Sequence, residues 1–251
     1  MKGIPTGIKG LDDMLGGGLP SRRCILVCGG PGSGKTILSF QFLYNGVTEY
    51  NETGLYVALG ESPTHLKEDL SSFGWDIERL EKDKKLVIVD ASPLRTIPGQ
   101  VKIGKVSIGK RDFKMLSLIE IIKTRTKEVE AKRIVIDSIS SLVLQYPDEA
   151  ERRNAILDLF EAVTDLGTTS LITSELRATA LQREVQAAEF LSHGVIVFHT
   201  FNERGRLIRA IQIEKMRGVS HDHQLRPYKI HKNGIEVFSK ESVLASVLTS
   251  I

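Results

Sequence analysis

Residues 29–36 read Gly29-Gly30-Pro31-Gly32-Ser33-Gly34-Lys35-Thr36, a glycine-rich octet with Gly, Gly, Lys and Thr in the register of a phosphate-binding loop. The run before it, Cys24-Ile25-Leu26-Val27-Cys28, is apolar and strand-sized, and the segment after it carries Ile37, Phe40 and Tyr44 at helical spacing. A strand, a glycine loop and a helix in that order aim backbone amides and a helix N-terminus at one anion. Glycine lets the chain wrap that anion closely and take positive φ. Lys35 then reaches the terminal phosphates and the Thr36 hydroxyl faces a divalent ion, so the octet predicts a nucleoside triphosphate with Mg2+. The second anchor such an ion needs is supplied by Arg133-Ile134-Val135-Ile136-Asp137, a buried-type strand ending in a carboxylate.

Working outward, apolar runs at 24–28, 55–59, 86–89, 134–136 and 170–173 alternate with helix-patterned segments. Met115, Leu118, Ile119 and Ile122 form one apolar stripe, and Ile156, Leu159, Phe160 and Val163 another. This alternation predicts an α/β fold with a mostly parallel central sheet covered by helices. From Val195 the texture changes to close strands at 195–199, 207–213, 228–231 and 235–238 with turn residues between them, which predicts an antiparallel extension of the same sheet. No linker or internal repeat divides the 251 residues, so one domain over 1–251 is expected.

Composition bounds the partners. Thirty-four basic against 31 acidic side chains give a formal charge of +3, too little for a whole-molecule attraction to nucleic acid or an anionic membrane. No apolar run is long enough to span a bilayer, and the first residues lack the apolar core of a secretory signal, so a cytoplasmic protein is expected. Cys24 and Cys28 are the only cysteines and have no partner pair at zinc-ligand spacing; two small buried side chains is the reading. The stretch 95–114 holds Pro98, three glycines and six basic residues against one acid. It reads as a long basic loop: a solvated mobile connection, a phosphate-backbone contact or a subunit contact. Its one aromatic, Phe113, gives little support to single-stranded nucleic acid.

The sequence resembles the KaiC branch of the RecA-like ATPases over nearly its whole length. The resemblance is carried by Thr6-Gly7-Ile8-Lys9-Gly10-Leu11-Asp12, Gly16-Gly17-Gly18-Leu19-Pro20, the octet, Tyr56-Val57-Ala58-Leu59-Gly60-Glu61-Ser62-Pro63, Phe73-Gly74-Trp75-Asp76, Ile136-Asp137-Ser138 and Lys215-Met216-Arg217-Gly218. It implies a RecA-like P-loop core and adenine as the base, in line with the lack of an Asn-Lys-x-Asp element for guanine. Where the family has two glutamates after the second strand, the first of them taken to activate water, this chain has Gly60-Glu61. Glu61 is then the remaining candidate base, and slow hydrolysis is expected. The resemblance also implies that Lys215 and Arg217, alternating near a strand end, reach the γ-phosphate held by a neighbouring subunit, which requires a ring, a hexamer by analogy. Thr173-Ser174-Glu175 takes a phosphate-sensing place, while Ala188-Glu189-Phe190-Leu191 lacks the Ser-Thr pair of an autokinase. Three functions stay open: a weak Mg-dependent ATPase in a regulatory or DNA-transaction role, a nucleotide-binding switch with negligible turnover, and a nucleic-acid-binding paralogue in which the 95–114 loop contacts phosphates and ATP only sets the oligomer.

Overall fold

The computed structural model describes residues 3–92, 100–103, 106–143, 145–176, 186–203 and 205–243. In chain order the strands are β1 (Gly3–Ile4), β2 (Leu19–Pro20), β3 (Cys24–Gly29), β4 (Gly54–Ala58), β5 (Leu86–Asp90), β6 (Gln100–Ile103), β7 (Val106–Gly109), β8 (Arg133–Asp137), β9 (Thr169–Glu175), β10 (Gly194–Glu203), β11 (Arg206–Met216), β12 (Arg226–His231) and β13 (Gly234–Val237). The helices are α1 (Leu11–Met14), α2 (Lys35–Tyr50), α3 (Pro63–Ser71), α4 (Ile77–Lys82), α5 (Lys110–Val129), α6 (Ser140–Val143), α7 (Glu149–Asp165) and α8 (Ala187–Leu191).

Nine strands form the central sheet in the order β13-β12-β11-β10-β3-β9-β8-β4-β5. From β10 to β5 all neighbours run parallel, and β11, β12 and β13 continue the sheet antiparallel, the expected architecture. The P-loop strand β3 lies between β10 and β9, deep in the sheet. Strict side-chain alternation assigns Ile25 and Val27 to one core and Cys24, Leu26 and Cys28 to the other. Burial on both faces explains why these strands read as unbroken apolar runs. One core is built with α2 and α3, together with the N-terminal segment; the other with α5, α7 and α8.

Helix α2 departs from the single apolar stripe expected of a surface helix. Leu38, Phe40, Phe42, Leu43 and Val47 are all buried, whereas Ile37 and Tyr44 are only partly so. The hairpin β12–β13 covers its outer side: Gln41 donates to the Ile235 carbonyl at 3.2 Å and accepts from the Ile235 amide at 2.7 Å. Asn45 donates to the Gly7 carbonyl at 2.8 Å, and Asp12 accepts from the Thr6 and Gly7 amides, so the residues 6–12 that carried part of the resemblance latch the N-terminal turn onto this helix. The guanidinium of Arg133, 0% exposed, crosses α2 where Gly46 leaves room; a Cβ there would lie 2.5 Å from it. Arg133 pairs with Glu52 at 2.6 Å, donates to the Phe42 carbonyl at 2.9 Å and lies 4.6 Å from the Phe42 ring centroid.

Within the basic stretch 95–114, the described residues 100–103 and 106–114 are not loop. β6 and β7 pair as an antiparallel hairpin, Gln100 opposite Gly109, and α5 starts at Lys110. Alternating Val101, Ile103, Val106 and Ile108 is a short strand signal that the glycines and lysines between them obscured. The segment 93–99 lies outside the described residues.

Candidate functional site

At Gly29 the chain leaves the sheet, turns through Gly32 (φ 68°) and Gly34 (φ 96°), and enters α2 at Lys35. Both angles are left-handed, a conformation that glycine takes without strain. Ser33 closes the turn by donating its hydroxyl to the Gly30 carbonyl at 2.8 Å. From outside, the phenol of Tyr228 on β12 donates to the Ser33 carbonyl at 2.5 Å, so the C-terminal extension grips the loop directly. The loop surroundings of Pro31 are open, and a Cβ on Gly32 would meet nothing within 4 Å.

Lys35 is buried, and its ammonium donates to the carbonyls of Gly29 and Gly30, each at 2.9 Å. Burial lowers its pKa from the ordinary lysine value, opposed by the nearby carboxylates of Asp137 and Glu175. One residue on, the Thr36 hydroxyl donates to Asp137 Oδ2 at 2.7 Å. Residues 101 apart in sequence thereby meet at the C-terminal edge of the parallel strands, where open α/β sheets place ligands. A hydroxyl and a carboxylate beside a phosphate-type loop suit Mg2+, which takes few protein ligands and fills its shell with phosphate oxygens and water. Among the described residues no group of three or more His, Cys, Asp or Glu side chains forms an all-protein metal cage.

Two further hydroxyls converge on the same carboxylate. Tyr56 on β4 donates to Asp137 Oδ2 at 2.6 Å, and Thr173 on β9 donates to Oδ1. Alternation puts Tyr56, Asp137 and Thr173 on the α2 face of three adjacent strands. Burial and the adjoining carboxylates raise the Tyr56 phenol well above its ordinary range, keeping it a donor. No motif reading singled out Tyr56; its signal was a tyrosine inside a fully buried strand, where a hydroxyl must find a partner.

Glu61 sits in the bend between β4 and α3, half-buried. The cap on α3 is Ser62, which accepts from the His65 amide at 3.3 Å, so Glu61 is not the cap of that helix. Its carboxyl is held above the ordinary range by partial burial, then by Asp69 and Asp137, against the pull of His65. Next to it Gly60 is exposed, its φ outside the left-handed region, and a Cβ there would meet nothing within 4 Å.

Lys215 and Arg217 lie elsewhere. In the β10–β11 ladder Lys215 pairs with Val195, and Val195 pairs with Leu26, three residues before the loop begins at Gly29. Plain alternation would set Lys215 on the face of Ile211 and Ile213. A bulge at Glu214 changes the phase, because Ile196 faces Ile213 while Val195 faces Lys215. Met216 joins the Ile211 core instead, and Lys215 turns toward α8, donating to the carbonyls of Glu189, Phe190 and Ser192 at 2.7, 3.1 and 2.6 Å. Arg217 donates to the same Phe190 carbonyl at 3.1 Å. Burial and Arg217 lower the Lys215 pKa; burial, Arg23, Arg217 and Lys215 lower that of His193, marking this edge as cationic. Beyond it, the His221 ring meets the Val219 carbonyl at 3.1 Å, and the His223 carbonyl accepts from Gln212. Of the 173–175 segment, Ser174 meets the Gln186 side chain at 3.2 Å and the Glu175 amide donates to Ser140, so only Thr173 reaches Asp137.

The family profile described as "ATPase: KaiC" matches residues 4–242. The chain belongs to the KaiC family. Its KaiC-type relatives include a UPF0273 protein of Methanocaldococcus jannaschii, 36% identical over 95% of this chain and 97% of its own length. The circadian clock oscillator protein KaiC of Thermostichus vulcanus is 37% identical over 95% of this chain but only 44% of its own, so the chain spans less than half of that protein. Among solved structures, a KaiC-like protein from the hyperthermophilic archaeon Pyrococcus horikoshii superposes with a TM-score of 0.79 at 34% identity, over 94% of this chain and 98% of that one. The RecA-like core of this KaiC-family chain is therefore shared along its length with that KaiC-like structure.

Proposed function

We propose that the chain binds ATP with Mg2+ at the loop 29–36 and hydrolyses it slowly, as a cytoplasmic ring, a hexamer by analogy with the family, whose Lys215 and Arg217 act on the neighbour's nucleotide. The observation that carries the binding half is the 2.7 Å bond from Thr36 to Asp137 at the mouth of a glycine loop. In this reading the backbone of Gly29, Gly30, Pro31, Gly32, Ser33 and Gly34 encloses the phosphates. Lys35 exchanges two carbonyl partners for phosphate oxygens, which suit a cation better. Thr36 and, through water, Asp137 hold Mg2+, which when bound neutralises charge developing on the transferred phosphoryl group. Glu61 takes up the role of orienting water.

Register supports the action in trans. Three residues of strand put Lys215 roughly 10 Å back from the loop along β3, and two strand spacings add about 10 Å sideways. A lysine already turned toward α8 does not bridge that gap within its own chain, whereas the opposite edges of two copies set head to tail bring cations to an anion. A switch with negligible turnover is the second reading, favoured by Gly60, which has neither a proton acceptor nor a donor in its side chain.

Calorimetry with ATP and Mg2+ tests the binding. Heat and a raised melting temperature are expected for wild type and neither for Lys35→Ala; no heat from wild type overturns the reading. Mixing inactive Glu61→Gln with inactive Arg217→Ala protein tests the shared site. A mixture that regains phosphate release supports it, and one as inactive as its parents refutes it.

A further inference from the structure

Asp137 presents two carboxylate oxygens, and three hydroxyls use them. They are not equivalent. Thr36 offers a lone pair to a cation as well as a proton to the carboxylate, and it rides on the loop helix, so its position answers to whatever the loop holds. Tyr56 and Thr173 stand on β4 and β9, the strands flanking β8, and have no such second duty. Of the two, Tyr56 reaches farthest. Its Cα pairs with Val135, two residues before Asp137, and the length of the phenol closes that offset to deliver a 2.6 Å bond to the oxygen that Thr36 also uses.

The ring is clamped. Phe40, one helical turn after Thr36, meets Tyr56 at a centroid distance of 5.7 Å and stacks on Trp75 at 5.6 Å; Trp75 stacks in turn on Tyr44 and Phe73. Tyr56 and Phe40 are fully buried, so the phenol is fixed on the protein side of the partly exposed Asp137 carboxylate. A charged oxygen served by a fixed donor holds one orientation, and donors bound to a metal-binding carboxylate tune its affinity for the ion.

We infer that Tyr56 is a positioning residue for Mg2+: its phenol holds the Asp137 carboxylate in the orientation that receives the ion beside Thr36. The inference rests on the reading of loop 29–36 as a Mg-nucleotide site and adds to it the residue that sets how strongly the metal contributes. Tyr56 touches neither nucleotide nor ion, so its effect falls on the metal-dependent part of binding alone.

The test is calorimetry of ADP and ATP binding in EDTA and across an Mg2+ titration, with wild type and Tyr56→Phe, which keeps the ring against Phe40 and removes one oxygen. The expected result is unchanged nucleotide affinity in EDTA and an Mg2+ midpoint raised about ten-fold, the low end of the loss on removing such a partner. An Mg2+ midpoint within two-fold of wild type overturns the inference, as does an equal loss of affinity with and without Mg2+, the mark of a merely structural role. If wild type itself binds nucleotide no better in Mg2+ than in EDTA, the failure lies in the reading of the site and not in Tyr56.

Discussion

Replacing Gly60 by glutamate puts a carboxylate where the family resemblance expects the water-activating base. The backbone accepts it, since φ at Gly60 lies outside the left-handed region and a Cβ meets nothing within 4 Å. A positioned base contributes about 10²- to 10⁴-fold, or about 2.7–5.5 kcal/mol of barrier at 1.36 kcal/mol per tenfold. Against this stands repulsion. Glu61 already carries a raised pKa from burial, Asp69 and Asp137, and a further carboxylate beside it at about 6 Å adds on the order of 1 kcal/mol at the water-like dielectric of the exposed position 60. The gain exceeds the cost, so Gly60→Glu should release phosphate roughly 10- to 10³-fold faster than wild type. Gly60→Gln, which adds the same bulk without a base, should not. Because a base acts deprotonated and the Glu61 carboxyl is held above the usual carboxylate range, the wild-type rate should fall on the acid side at a higher pH than an ordinary glutamate would give. The assay is steady-state phosphate release with ATP affinity measured in parallel. A folded Gly60→Glu protein that binds ATP as wild type does and turns over no faster refutes the assignment of this position as the missing base.

Other outcomes follow from contacts already described. Arg133→Met removes a fully buried guanidinium from its pair with the partly exposed Glu52 and from the Phe42 carbonyl; a loss of about 3 kcal/mol is expected, read as a fall of roughly 6–12 °C in melting temperature, and an unchanged melting curve would contradict the packing around Gly46. Tyr228→Phe removes the donor to the Ser33 carbonyl and should lower nucleotide affinity several-fold, about 1 kcal/mol, with the circular dichroism spectrum unchanged; equal affinity would show that the extension does not order the loop. The Cys24 thiol is pushed by burial far above its usual range, so no thiolate forms there at alkaline pH. Thiol reagents should label neither cysteine in the folded chain and both after denaturation; labelling of native protein at pH 9 would contradict the burial of β3.

Much of this protein was legible from local pattern. The octet 29–36 specifies its own conformation because positive φ at Gly32 and Gly34 is a property of single residues, and it announces its chemistry because few sequences supply a lysine and a hydroxyl just inside a helix start. Strands buried on both faces spelled themselves out as apolar runs, and Asp137 ended one of them. The helix α2 was harder: its outer side is covered by residues 228–237, which no reading of 35–50 alone brings near.

What only the tertiary structure decided concerns phase and convergence. A single extra residue, Glu214, turns Lys215 from the face that alternation assigns it to the face of α8, and a bulge leaves no mark in composition. Tyr56, Asp137 and Thr173 are separated by 81 and 36 residues, yet strand order sets them side by side. Periodicity within a segment determines which face a residue takes, because backbone geometry is local. Which segments become neighbours is settled by the burial of whole faces at once, and that is a property of the assembled sheet.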